Sequence, residues 1–172
     1  ASDIELKMSQ FEGQSCDVSF LTAVTNVHIF GMKGTALTVP TTVVSLDIID
    51  SCKRSSVTGT ENVTSLELPN TTVAVSPCPK LVEFHWYGKK CSNKKMPFPI
   101  HTLTTLTRMR IDTDTLSDDF IFPAGLRELG LEFERGQNLA HQLTGLTNLQ
   151  DLLIDVPGYQ LPLDLSSLTS LT

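Results

Sequence analysis

Large apolar residues recur along the chain at the first, fourth and sixth places of a six-residue pattern. The clearest copy occupies residues 126–131, with Leu126, Leu129 and Leu131 at its apolar places. Complete copies begin at residues 1, 24, 43, 63, 81, 106, 126 and 149, and a truncated ninth begins at 168, so that successive copies start 18 to 25 residues apart. A fixed pattern at a nearly regular period indicates a repeat protein over the whole chain.

The spacing within each copy predicts a β-strand. Side chains of a strand alternate between two faces, so the fourth and sixth places face one side while the third, fifth and seventh places face the other. A single short strand cannot bury its apolar row, whereas parallel stacking of successive copies creates one continuous core. We therefore expect one solenoid domain, residues 1–172, whose sheet buries the sixth-place residues Leu6, Ile29, Ile48, Leu68, Trp86, Ile111, Leu131 and Ile154.

The segments between the predicted strands are short and rich in turn residues. Few are long enough for a stable helix, so the other side of the solenoid is expected to consist of loops, 3₁₀ turns and brief extended pieces. Leucine recurs every third residue in three of these segments. This spacing predicts a single helical turn at Leu103/Leu106, Leu143/Leu146 and Leu165/Leu168.

With these repeats the chain resembles the leucine-rich repeat superfamily over its whole length. The resemblance implies a mostly β member of the α/β class, a right-handed horseshoe with a parallel concave sheet and a convex side rich in loops and 3₁₀ turns. Some copies have a proline ahead of the strand, as in short bacterial effector repeats, and others are closer to internalin-like repeats. The subclass is therefore left open.

One departure from the family pattern concerns the asparagine that normally follows the sixth place by three residues and builds a buried hydrogen-bond ladder. That ladder is expected to be missing or replaced. The positions where the family pattern has this asparagine hold Ser9, Met32, Ser51, Thr71, Lys89, Asp114, Glu134 and Pro157.

The first strand begins without a polar cap, and the last leucines lack a covering repeat, so we expect a section of a longer array.

Composition narrows the class of protein. The 172 residues suit one domain, with 40% hydrophobic residues and a mean hydropathy of +0.03. No apolar run has the length of a membrane span, and no signal peptide is recognisable, so we expect no transmembrane segment in this chain. A net charge of −6 and a pI of about 5.1 argue against nucleic acid as the main partner.

Cysteines and glycosylation motifs leave the compartment open. Neither metal-finger spacing nor a disulfide-rich cluster is present, so the four thiols are interpreted as small buried side chains, at Cys16, Cys52, Cys78 and Cys91. Asn62 and Asn70 match the N-glycosylation acceptor pattern. With abundant Ser and Thr, these motifs favour a secreted or cell-surface protein slightly over a cytoplasmic one.

No catalytic motif is recognisable, and we predict a protein that is not an enzyme and uses no cofactor. The fifth-place residues of successive copies form a column that contains His28, Asp47, Glu67 and His85. Adjacent strands lie about 4.8 Å apart, which separates the two histidines by about 14 Å. Two acid–imidazole pairs are therefore expected instead of a metal site, and binding should respond to pH between roughly 5 and 8.

The seventh-place column predicts a binding surface. It reads Lys7, Phe30, Ile49, Pro69, Tyr87, Asp112, Glu132 and Asp155, an apolar stripe followed by acids. Exposed apolar residues with a polar rim often mark binding sites. The alternative is that these side chains pack against one another or against a loop. The predicted contacts with a partner are Phe30, Ile49, Tyr87, Asp47, Glu67, His85, Asp112, Glu132 and Asp155.

These observations predict a protein-recognition module whose ligand is a protein or peptide with basic and apolar residues. Charge would set the rate and orientation of encounter more than the affinity. Two alternatives stay open. One is a structural cell-surface or wall protein that self-associates, and the other is the recognition repeats of a larger intracellular effector or enzyme.

Overall fold

The computed structural model describes residues 2–49, 54–69, 73–87, 98–134, 138–156 and 165–172. Residue 1, where the first copy begins, lies outside these ranges, and so do seven residues named above: Ser51, Cys52, Asn70, Thr71, Lys89, Cys91 and Pro157. In chain order the strands are β1 (Asp3–Lys7), β2 (Ser15–Asp17), β3 (Asn26–Phe30), β4 (Ala36–Thr38), β5 (Ser45–Ile49), β6 (Ser55–Thr58), β7 (Ser65–Pro69), β8 (Val73–Val75), β9 (Glu83–Tyr87), β10 (Arg108–Thr113), β11 (Glu128–Phe133) and β12 (Asp151–Asp155).

Eight of these strands form one parallel sheet in the order β1-β3-β5-β7-β9-β10-β11-β12, which makes the chain a solenoid of about seven turns. The predicted register is confirmed: Leu46 pairs with Leu66, and Ile111 pairs with Leu131. The sixth-place residues all belong to a single core, in which those of the terminal strands, Leu6 and Ile154, are only partly buried. Parallel stacking therefore buries the apolar row as expected.

A second parallel sheet covers the opposite side of the first four coils, in the order β2-β4-β6-β8. Only brief extended pieces were expected there. The sheet forms because each of these coils contributes an inward apolar residue at the same register, and together these residues bury a second row. The row is Cys16, Leu37, Val57 and Val75.

Later coils replace this second sheet with short helical turns. A 3₁₀ turn spans Ile100–Thr102, and a four-residue helix, α1, spans Ala140–Leu143. A hydrogen-bonded turn is present at each of the three predicted leucine pairs. The N–H groups of Leu106, Leu146 and Leu168 donate to the carbonyls of Leu103, Leu143 and Leu165. In the described ranges, no helix has the length and hydropathy needed to cross a membrane.

Polar side chains at a different position replace the missing asparagine ladder. In five coils, the residue immediately before the first apolar place donates a side-chain hydrogen bond to a backbone carbonyl of the preceding coil. This position, here called the corner, thus has one of its backbone acceptors satisfied. The usual asparagine position is apolar in one coil, where Met32 is fully buried. The replacement bonds run from Thr42 to Val24, Asn62 to Thr41, Thr105 to Leu81, Asn148 to Ala124 and Ser170 to Thr147, over 2.6–3.2 Å.

The ninth copy starts three residues later than its sequence pattern suggested. In complete coils, the residue after the first place donates its backbone N–H to the carbonyl of the equivalent residue in the preceding coil, as Gln150 does to Arg127. Thr172 makes this bond to Gln150, over 3.2 Å. Leu171 therefore occupies the first place, and Leu168 belongs to the preceding turn. Both are leucines three residues apart, which is why the pattern alone chose the wrong one.

Candidate functional site on the outer face of the large sheet

The face of the eight-stranded sheet turned away from the core, here called the outer face, is made of third-, fifth- and seventh-place residues. Strand pairing brings the predicted columns together: His28 lies beside Asp47, Asp47 beside Glu67, and Glu67 beside His85. In the seventh-place column, Phe30 pairs with Ile49 and Tyr87 with Asp112, while Glu132 pairs with Asp155 in the same way. The predicted site residues therefore share one surface.

Two acid–imidazole pairs occupy the fifth-place column, as the sequence predicted. His28 Nδ1 lies 3.2 Å from Asp47 Oδ2, and His85 Nδ1 lies 3.2 Å from Glu67 Oε1. The two carboxylates belong to neighbouring strands and the imidazoles flank them. Among the residues that the structure describes, no group of three or more His, Cys, Asp or Glu side chains is arranged to hold a metal ion.

The apolar stripe lies in the N-terminal half of the outer face. Phe30, Ile49 and Tyr87 are partly exposed, whereas Pro69 is buried between them. The Tyr87 ring packs against His85 with centroids 5.3 Å apart, and its hydroxyl donates to the Ile48 carbonyl over 2.8 Å. The stripe is thus partly packed on itself, while Phe30 and Ile49 keep surface open to solvent.

Acidic residues dominate the C-terminal half of the outer face, on β9 to β12. Arg108 donates to Glu83 Oε2 over 2.8 Å, and this pairing raises the pKa of the guanidinium. Arg110 lies 3.7 Å from Glu132 Oε2. These two arginines face six carboxylates, so the surface carries a negative excess. The six are Glu83, Asp112, Glu128, Glu132, Asp151 and Asp155.

A shallow depression of about 480 Å³ lies on this acidic half, over β9 to β12. Its floor includes Gly130, the one outward residue of β11 without a side chain. Arg110 and Leu153 flank this glycine in register on the neighbouring strands, and Leu153 is 62% exposed. Gly130 and Leu153 belong to the fifth-place column, which the sequence pattern defines, but the depression depends on which side chains extend around the glycine.

Asn62 has a structural role that its glycosylation motif did not reveal. Its amide nitrogen donates to the Thr41 carbonyl over 2.9 Å, and its amide oxygen accepts from Lys80 Nζ over 2.6 Å. The nitrogen that would carry a glycan is therefore already bound in a corner ladder. Glycosylation of Asn62 stays a prediction, and Asn70 lies outside the described residues.

The two cysteines in the described ranges, Cys16 and Cys78, are free thiols. Cys78 is buried, as predicted, and Cys16 is partly buried in the column of the second sheet. Burial raises the pKa of the Cys78 thiol, because the thiolate would lose its hydration. This favours the protonated, unreactive form.

No protein-family model matches the chain, and neither a curated protein nor a solved structure shows significant similarity to it.

Proposed function

We propose that the chain is a leucine-rich repeat recognition module, without enzymatic activity, that binds a protein segment on the outer face of its large sheet. The observation that carries the proposal is the juxtaposition of partly exposed apolar residues with a strongly acidic half on one continuous sheet surface. The repeat spacing of 18 to 25 residues and the parallel strand order support the family. In such a horseshoe the outer face would be the concave surface.

Phe30 and Ile49 would supply the apolar contact. They are neighbours in register and both are partly exposed, so a partner side chain could cover the two together. Aromatic and large aliphatic residues contribute most when a partner removes them from water at the centre of an interface. Tyr87 would contribute only its ring, since its hydroxyl is bonded within the sheet.

The carboxylates on β9 to β12 would select a basic segment. A negative surface accelerates encounter with positive partners and excludes acidic ones, while contributing less to affinity at physiological salt. The resulting partner is an extended protein segment that has apolar residues at one end and Lys or Arg at the other. Its orientation would run across the strands, from the apolar half towards the acidic half.

The chain offers matched controls for testing this function. Peptide display against the whole chain would select ligands, and calorimetry would measure their affinity for Phe30→Ala and Ile49→Ala variants. Phe20 and Ile121 are more exposed, at 72% and 62%, and lie outside the outer face, so Phe20→Ala and Ile121→Ala remove similar apolar groups elsewhere.

We expect the outer-face variants to weaken binding at least about tenfold, as for interface anchors, and the controls to change it less than about twofold. Equal effects of both sets, or none from Phe30→Ala and Ile49→Ala, would contradict the proposal. Raising the salt from 0.05 to 0.5 M should slow association more than it accelerates dissociation.

A further inference from the structure

Gly130 lies in the interior of β11, yet its backbone does not require glycine. Its φ is outside the left-handed region that Gly13, Gly31, Gly34, Gly59 and Gly145 occupy. Glycine weakens a strand because it packs no side chain and gains flexibility in the unfolded chain. A glycine of this kind often marks a place where a ligand or another backbone approaches closely. Gly130 therefore leaves space on the outer face that a side chain at this position would fill.

Arg110 and Leu153 lie on either side of Gly130 and form the walls of a slot. A Cβ added at Gly130 would lie 3.4 Å from Arg110 Cγ, so the stem of this arginine borders one side. Leu153 borders the other side from β12 and is largely exposed. Methylene groups of a long side chain would be shielded from water between these two walls, as the stems of Lys and Arg commonly are.

An arginine lies near each end of the slot. Arg108 is the register partner of Glu128 and attracts it, but its guanidinium donates to Glu83 on the other side. Glu128 and Asp151 are register partners at one end, and Glu132 and Asp155 are register partners at the other. The Arg110 guanidinium turns towards Glu132, 3.7 Å away. Like charges directly opposite on neighbouring strands repel each other. A cation arriving at the end formed by Glu128 and Asp151 would relieve this repulsion.

We propose that this slot, formed by Gly130, Arg110, Leu153, Glu128 and Asp151, binds one Arg or Lys side chain of an extended peptide segment. The aliphatic stem lies over Gly130 between Arg110 and Leu153, and the charged group meets the Glu128 and Asp151 carboxylates. The inference rests on the proposed function and deepens it, because it assigns one residue class of the partner to one place on the outer face.

The experiment titrates the ¹⁵N-labelled whole chain with an acetylated hexapeptide of alternating valine and arginine. A second hexapeptide has glutamate in place of arginine. We expect the arginine peptide to shift the amide resonances of Gly130 and its slot neighbours saturably, and the glutamate peptide to leave them unchanged. Equal shifts with both peptides, or shifts confined to β3 through β7, would overturn the slot.

Gly130→Val fills the floor with a residue that favours strands, and it should weaken the arginine peptide at least tenfold while the free energy of unfolding stays the same or rises. Ser65→Val adds the same side chain on the outer face of β7 and should leave binding within twofold.

Glu128→Gln with Asp151→Asn should weaken binding at least tenfold, whereas Asp118→Asn with Asp119→Asn, in an exposed turn, should not. Unchanged binding by Gly130→Val would overturn the slot.

Failure of the slot and failure of the proposed function give different results. Displayed ligands that depend on Phe30 and Ile49 but tolerate Gly130→Val would remove the slot and keep the outer face as a binding surface. Ligands that tolerate all of these substitutions would remove both.

Discussion

The Tyr87 hydroxyl on β9 donates to the Ile48 carbonyl on β5 over 2.8 Å, although β7 lies between these two strands in the sheet. The reason lies in Pro69, on the intervening strand. In this parallel ladder, Ser65 donates its N–H to the Val44 carbonyl. The pattern repeats every second residue, so residue 69 would have to donate its N–H to the Ile48 carbonyl. Proline has no N–H to donate. The regular β5–β7 pairing stops at Asp47 and Glu67, and Tyr87 supplies the missing donor.

Tyr87→Phe is therefore expected to lower the free energy of unfolding by about 1–2 kcal/mol, because a carbonyl is left without this donor. Chemical denaturation of the variant and the parent measures the change. Pro69→Val should return a backbone donor to Ile48, so the loss from Tyr87→Phe should shrink in that background. Equal losses in both backgrounds would show that the hydroxyl does not substitute for the proline.

The corner ladder predicts that one threonine matters more than its neighbour. Thr105 Oγ1 donates to the Leu81 carbonyl over 2.7 Å. Thr105→Val keeps the shape and removes the donor, which should cost about 1 kcal/mol of unfolding free energy. Thr104→Val is the matched control on the same exposed corner, where a change below about 0.5 kcal/mol is expected. A smaller loss from Thr105→Val than from Thr104→Val would refute this role.

Gly59 should be the least replaceable glycine of the N-terminal coils. Its φ is +85°, and an added Cβ would lie 2.2 Å from the Val39 carbonyl oxygen of the adjacent coil. Gly13 has a φ of +71° with nothing within 4 Å of such a Cβ. Gly13→Ala should cost about 1–2 kcal/mol through backbone conformation alone, and Gly59→Ala distinctly more. Thermal unfolding of both variants separates the two costs, and similar values would contradict the predicted clash.

Cys78 should make stability depend on pH above neutrality. Its folded pKa is raised by burial, so the folded state holds the thiol proton more tightly than the unfolded state. The contribution to stability is complete below the unfolded value of about 8.5 and is lost as pH rises through the folded pKa. Under reducing conditions, the unfolding free energy of the parent should fall more steeply between pH 8 and 10 than that of Cys78→Ala. Parallel curves would exclude this linkage.

The outer face was predictable because strand alternation is strict. One strand fixes which residues face outward, and stacking then fixes which residues are neighbours. The acid–imidazole pairs His28–Asp47 and His85–Glu67 followed from these two steps. The position of Gly130 in its column was equally visible. The slot was not, because its walls depend on where the Arg110 and Leu153 side chains extend.

The sequence pattern did not predict the side-chain hydrogen bonds that link different coils. The residue before the first place is Thr, Asn or Ser in the five coils that form this bond and Ala23, Lys80 or Gly125 in others, which hid a ladder that needs only some side-chain donor at the corner. The Tyr87 bond to Ile48 could have been inferred, since Pro69 occupies a seventh place and lacks a donor. Tyr87 was interpreted instead as a contact for a partner, a role that its ring alone could fill.

The bond between Tyr87 and Ile48 also has a mechanical consequence. The corner hydrogen bonds reach only the adjacent coil, so a chain pulled from its two ends should release coils singly, starting at an end. The tyrosine fastens β5 to β9 and encloses β7 between them. Under tension these three strands should detach as one block, producing a longer extension step than any single coil.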